Sequence, residues 1–175
     1  MNKKRTERKY LAEFVYGATD GTITTFAVVA GVVGASLSST IVLIMGFANL
    51  FADGFSMAVS NYLSSKSQSD LNKIHNNKHR TKNPRKTALA TFSAFVIIGL
   101  IPLLPFVFAN FSDFINNNKF LLSTVLTGIA FLIIGAFKGK VIGKHWIKSS
   151  LQTLVIGSIA ALIAYSVGFF LRSIA

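Results

Sequence analysis

The sequence has no cysteine, one tryptophan, three prolines and only six acidic residues among 175. Without cysteine there are no disulfides, no thiolate metal ligands and no cysteine nucleophile. Charged residues of both signs make up 14% of the chain, against about 25% in an average soluble domain, which excludes a soluble fold. The charge that is present is mostly positive, 18 Lys and Arg against the six acids, for a net charge of +12. In a soluble protein such an excess points to nucleic acid. Here the basic residues stand between apolar segments, where they set membrane topology, and no nucleic-acid partner is expected.

What the chain has in abundance is hydrophobic runs: 51% of its residues are hydrophobic and the mean hydropathy is +0.54. Five stretches read as membrane-spanning helices, at about residues 11–35, 40–63, 87–109, 120–137 and 151–171. A hydrocarbon core of roughly 30 Å needs about 20 residues at 1.5 Å each, so the fourth stretch is near the short limit. Pro102 and Pro105 should kink the third. The fold class expected is all-α, a polytopic membrane protein forming one transmembrane domain over residues 1–175. Its polar connections are Ser36 to Ser39, a basic loop over 64–86 and a short loop over 110–119. The basic N-terminal run leads into a long segment holding two acids and no small-residue cleavage pattern, so no signal peptide is expected.

Five Lys and Arg precede the first span, seven lie in residues 64–86, and four are Lys138, Lys140, Lys144 and Lys148; only Lys119 and Arg172 fall on the other side. Sixteen of eighteen basic residues on one face make that face cytoplasmic, with the N-terminus inside and the C-terminus outside.

Against this background the intramembrane acids carry information, because a carboxylate at a helix centre costs about 2.5–3.5 kcal/mol on insertion scales and faces a bundle interior or wet cavity. Glu13 and Asp20 are seven residues apart, which puts them within about 20° on one helix face. Asn49, Asp53 and Met57 recur every four residues, a stripe of amide, carboxylate and thioether with Ser56 and Ser60 beside it. Oxygen ligands with one soft sulfur suit a borderline divalent transition metal.

Each group also has a structural reading. Glu13 lies near the cytoplasmic interface, where an acid is solvated or salt-bridged. The run Thr19, Asp20, Gly21, Thr22 has helix N-capping chemistry, with the unbroken apolar stretch starting only at Ile23. Asp53 can bond a neighbouring helix as a protonated acid, and Met57 can simply fill space.

Four segments carry a family resemblance. The runs YGATDGTITTFAVVAGVVGA (Tyr16 to Ala35) and GFANLFADGFSMAVSNYLSSKS (Gly46 to Ser67), then IPLLPF at Ile101 to Phe106 and GAFKGKVIG at Gly135 to Gly143, resemble in order the first four helices of the vacuolar iron transporter family. The resemblance implies a five-helix protomer working as a homodimer that moves ferrous iron, and often manganese, out of the cytoplasm in exchange for protons. It implies a metal path between protomers, lined by the first helices with help from the second. Asp20 matches the family's aspartate of the DG motif, Glu13 its acid seven residues earlier, and Met57 its second-helix methionine.

The chain departs from the family at two places. Asn49 stands where the family has a glutamate; an amide oxygen can bind a cation but carries no proton, and Asp53, one turn along, is the candidate replacement carboxylate. The stretch 64–86 has one acid, Asp70, so the family's glutamate-rich cytoplasmic metal-binding domain is missing. In this the chain is similar to the short, nodulin-like and bacterial branch. Its richness in Lys, Asn, Ile and Phe suggests a bacterial cytoplasmic membrane.

His75 and His79 in that loop have the i, i+4 spacing of a metal pair. Lys73, Lys78, Arg80 and Lys82 surround them and repel cations, so a solvated, topology-setting loop that meets anionic lipid is the reading favoured. Gly135, Gly139 and Gly143, and likewise Gly17 with Gly21, are small-residue ridges that let helices approach closely; the second pair would bring two first helices together across a dimer axis.

The function expected is therefore export of ferrous iron or manganese by proton antiport, with metal ligands Asp20, Asp53, Met57, Asn49 and Glu13, no resident cofactor, and the ion and protons as substrates. Two rivals stay open: a small transporter or channel for another substrate, such as a multidrug exporter with an aromatic pocket, and a non-transporting membrane scaffold. A membrane enzyme is not expected, since the intramembrane region offers no histidine, cysteine or nucleophile–base pair.

Overall fold

Helix boundaries follow from a few local signals. Ser36, with φ 58°, ends the first helix in the left-handed region, its N–H donating to Val33 O at 2.9 Å and the Leu37 N–H to Val32 O at 3.1 Å. Asn83 caps the third helix by accepting the Arg85 N–H at 3.0 Å, with Pro84 supplying a first-turn φ and no orphan donor. Gly143, at φ 73°, closes another helix with the Lys144 N–H on Gly139 O at 3.0 Å.

The computed structural model describes residues 10–74 and 82–174. In order these form α1 (Leu11–Gly34), α2 (Ser39–Ile74), α3 (Pro84–Gly99), α4 (Leu104–Val107), α5 (Asp113–Ile142) and α6 (Trp146–Leu171), with 3-10 turns at Ile101–Leu103 and Ala109–Phe111. No strand occurs among the described residues. Five spans are long and apolar enough to cross a membrane, α3 and α4 together with their turns making the third, Pro84–Phe111.

The boundaries differ from the sequence expectation at five helix ends. α2 continues eleven residues past Leu63 to Ile74, because no Gly or Pro interrupts that stretch and Lys73 pairs with Asp70 at 3.2 Å one turn away. The basic loop is thus largely helical before its centre, and α3 starts at Pro84 rather than Thr87. Residues 113–119, expected as loop, are the first turns of α5, which also runs on to Ile142. Its acidic start at Asp113 and basic end at Lys140 suit the helix dipole. α6 begins at Trp146, five residues before Leu151.

The prolines break the third span as their chemistry requires. Pro102 and Pro105 lack an N–H, and the backbone tightens into 3-10 and single-turn segments. The buried Ser123 hydroxyl of α5 donates to Pro102 O at 2.6 Å, satisfying one carbonyl that the broken helix leaves over.

α1 is the central helix: it lies along α3 and α6, and touches α2 and α5. α2 leans mainly on α3, and α5 pairs with α6 as a hairpin. The main core joins Phe26, Val29 and Val32 of α1 to Val42, Leu103 and Phe106. Lipid offers no hydrophobic drive for helices to associate, so close packing of small residues has to supply it.

The glycines do this within the protomer. A Cβ at Gly17 would collide with the Thr91 carbonyl oxygen, and one at Gly21 with the backbone of Phe95. The Gly17–Gly21 ridge is therefore spent on α3 of the same chain and does not join two first helices, which corrects the sequence expectation. Gly135 and Gly139 meet Ser150 and Trp146 of α6, as a close-approach ridge should, whereas Gly143 is a helix stop with open space around it.

Candidate functional site

Asp20 sits midway along α1 in unbroken helix, so the N-cap reading of Thr19 to Thr22 falls. The hydroxyls beside it turn back on their own helix, Thr22 to Ala18 O at 2.7 Å and Thr24 to Asp20 O at 2.9 Å. The Asp20 carboxylate itself accepts no hydrogen bond and meets no basic side chain among the described residues.

On α2 the buried stripe is Val42, Gly46, Leu50 and Gly54, against Leu103, Phe95 and Val96. Asn49, Asp53 and Met57 form the row beside it, all partly buried, while Ala52, Ser56 and Ser60 on the far side are exposed. The row lies at the rim of the α2 face that packs on the bundle. Asp53 is within electrostatic reach of Asp20, so the two acids share one edge of the protomer although 33 residues separate them in the chain. The Asn49 amide nitrogen is buried without a partner.

Glu13 lies apart from this group, at the first turn of α1. Its Oε1 accepts from the Lys82 ammonium at 2.6 Å, and its side chain is 12% exposed. Lys82 is a partner from 69 residues away in the chain. His75 and His79 lie outside the described residues.

No three acidic or imidazole groups cluster in one protomer among the described residues. The edge offers two carboxylates, an amide and a thioether, groups of the kinds that can ligate a cation. Three cavities among the described residues lie elsewhere, and no acid lines any of these three. One of about 340 Å³ lies between α1 and α5 with Lys138 on its wall. Another of about 480 Å³ carries Lys138, Lys144 and Lys148. The third, about 400 Å³ between α2 and α3, is aromatic, with Phe55, Tyr62, Phe92 and Arg85. An arginine there repels a lipophilic cation, so the aromatic pocket lacks the acid that a multidrug exporter would use.

Sequence reasoning missed two polar contacts that tie the helices around the site together. Asn61 donates to Thr91 Oγ1 at 2.6 Å, tying α2 to α3, and the Asn83 N–H donates to the Tyr10 hydroxyl at 3.2 Å, tying α3 to the start of α1. Asn61 continues the four-residue repeat of Asn49, Asp53 and Met57, a signal that was available; nothing in the sequence marks Tyr10.

A family model described as VIT family matches residues 11–82 and 72–169, the two pieces meeting in the connection between α2 and α3. Among similar proteins, the vacuolar iron transporter of Toxoplasma gondii is 27% identical over 98% of this chain and 77% of its own. Vacuolar iron transporter 1 of Tulipa gesneriana is 23% identical over 98% and 91%, and the vacuolar iron transporter of Plasmodium falciparum 26% identical over 95% and 84%.

Proposed function

The chain belongs to the VIT family, and from that premise we propose that it exports ferrous iron, manganese or both from the cytoplasm by proton antiport, along a path between two copies of the protomer. It is a multi-pass membrane protein of a family of metal transporters, not enzymes.

The observation that carries the reading is the pair Asp20 and Asp53, two acids within electrostatic reach of each other on a membrane-spanning edge, with no basic group among the described residues paired to either. Two carboxylates side by side in a low-dielectric region need a counter-charge. A divalent ion supplies it; so do protons. Competition of ion and protons for the same oxygens links outward metal movement to inward proton movement. A second copy covering the edge would keep the acids off lipid and double the ligands, with Asn49 and Met57 completing a mixed oxygen and sulfur shell. Glu13 would be the first carboxylate that an ion meets from the cytoplasm.

The basic ends of α2, α3 and α5 gather at the Glu13 end of the bundle, and Arg172 donates to Ser36 at the opposite end. The positive-inside rule makes the Glu13 end cytoplasmic whether the far side is a vacuolar lumen, as the relatives' names indicate for them, or the outside of a bacterial cell, as the composition suggests.

Purified protein in liposomes holding a pH-sensitive dye tests substrate and counter-ion together. Ferrous iron under reductant, or manganous ion, is expected to cross with protons moving the opposite way, and a lipophilic cation is not. Flux no greater than in empty liposomes would reject the metal reading, and flux without a dye response would reject antiport.

A further inference from the structure

The Glu13–Lys82 pair has a shape that a purely structural ion pair would not need. Only Oε1 of Glu13 is bonded, and Oε2 is buried with no partner. Lys82 is 38% exposed, so water reaches the ammonium while the carboxylate stays mostly covered. α1 and α3 are already joined here by the Tyr10–Asn83 hydrogen bond, which leaves the ion pair unnecessary as a clamp. Lys82 also closes the α2–α3 connection, the segment in which this chain carries one acid. Glu13 stands two helical turns before Asp20 on the same face of α1.

We propose that Lys82 is a tethered cation that occupies Glu13 between transport events, so that a divalent ion coming from the cytoplasm must displace the ammonium to reach Asp20. This rests on the reading of the Asp20–Asp53 edge as the metal path. An ammonium is a single charge that engages one carboxylate oxygen here. A divalent ion brings twice the charge and takes both oxygens, including the one now without a partner. The exchange makes Lys82 a positioning residue that sets apparent affinity at the cytoplasmic mouth and leaves the later steps untouched. At high free metal the lysine is displaced and transport runs at full rate; at low free metal the lysine holds the site closed.

The test is metal flux in proteoliposomes as a function of external ion, oriented so that the Glu13 end faces the added metal. Lys82→Gln is expected to lower KM about five-fold with kcat unchanged, the size of effect one partly exposed ion pair supports, and Lys82→Arg to behave as the wild type. In a Glu13→Gln background, Lys82→Gln should have no further effect, because the group it competes for is gone. Lys82→Met, which keeps the apolar stem, is measured beside it in case the glutamine variant folds poorly. An unchanged KM in Lys82→Gln and Lys82→Met overturns the proposal, as does an equal fall in KM with Glu13 already replaced, which would mark a general surface-charge effect. Wild-type protein that moves no metal overturns the metal path and this proposal together, whereas normal wild-type flux with insensitive Lys82 variants overturns this proposal alone.

Discussion

The two faces of α1 differ in what they are made of and in how completely they are satisfied. Toward α3 the helix presents Gly17, Gly21 and Thr22, and the fit is so close that any side chain at either glycine would strike the α3 backbone. Of the buried hydroxyls, Thr22 donates to Ala18 O and Thr91 to Thr87 O at 3.0 Å, while that of Thr25, one turn on from Gly21, has no partner. Toward α2 the same helix presents Asp20, partly buried, with no donor and no counter-ion among the described residues, near Asp53, which is likewise unpaired among them. One face is closed by tight packing within the protomer, and the other leaves two acids without a counter-charge among the described residues. The contrast teaches that α1 is held in place by α3 so that its α2 side can tolerate an arrangement that contributes nothing to stability.

Substitutions on the two faces should therefore separate transport from folding. The largest effect expected is from Asp20→Asn, which removes the charge at nearly constant shape: metal flux in proteoliposomes should drop to the level of empty vesicles while the melting temperature in detergent stays the same or rises. A lower melting temperature with flux retained would reverse the assignment of the two faces. Next in size, Gly17→Val forces a branched side chain onto the Thr91 carbonyl, where no rotamer escapes. It should destabilise the protomer by on the order of 3 kcal/mol, seen as loss of monodisperse protein on size exclusion; normal yield would show that the α1–α3 contact is looser than it looks. The smallest effect is from Asn61→Ala, which deletes the hydrogen bond to Thr91 across α2 and α3. A loss of about 1 kcal/mol is expected in thermal unfolding, together with little change in flux at saturating metal, since the edge acids are untouched.

Much of the fold could be read along the chain because membrane spans are local objects. Five apolar stretches, basic residues clustered between them and two prolines in the third give the number of helices and the position of the break. The helix ends were harder. α2 and α5 run beyond the hydrocarbon into polar residues that still favour helix, so hydropathy loses their ends even though the backbone does not stop. Of the site, the acids themselves were legible, since an aspartate in an apolar run stands out. The partner of Glu13 was not, because Lys82 is one of several basic residues in its stretch and only the packing of α3 on α1 selects it. The Gly17–Gly21 ridge was legible as a contact surface, but its partner was misassigned.

By itself, then, the sequence determined the membrane class, the five crossings, the proline break and the few intramembrane groups able to meet a cation, all of which depend on composition and spacing within single segments. Tertiary structure decided which helix the α1 glycines bind, that Asp20 and Asp53 share an edge, and that Glu13 is held by Lys82. These are choices among neighbours far apart in the chain, and steric fit between helix surfaces makes them; no period in one segment encodes the surface that another segment will present.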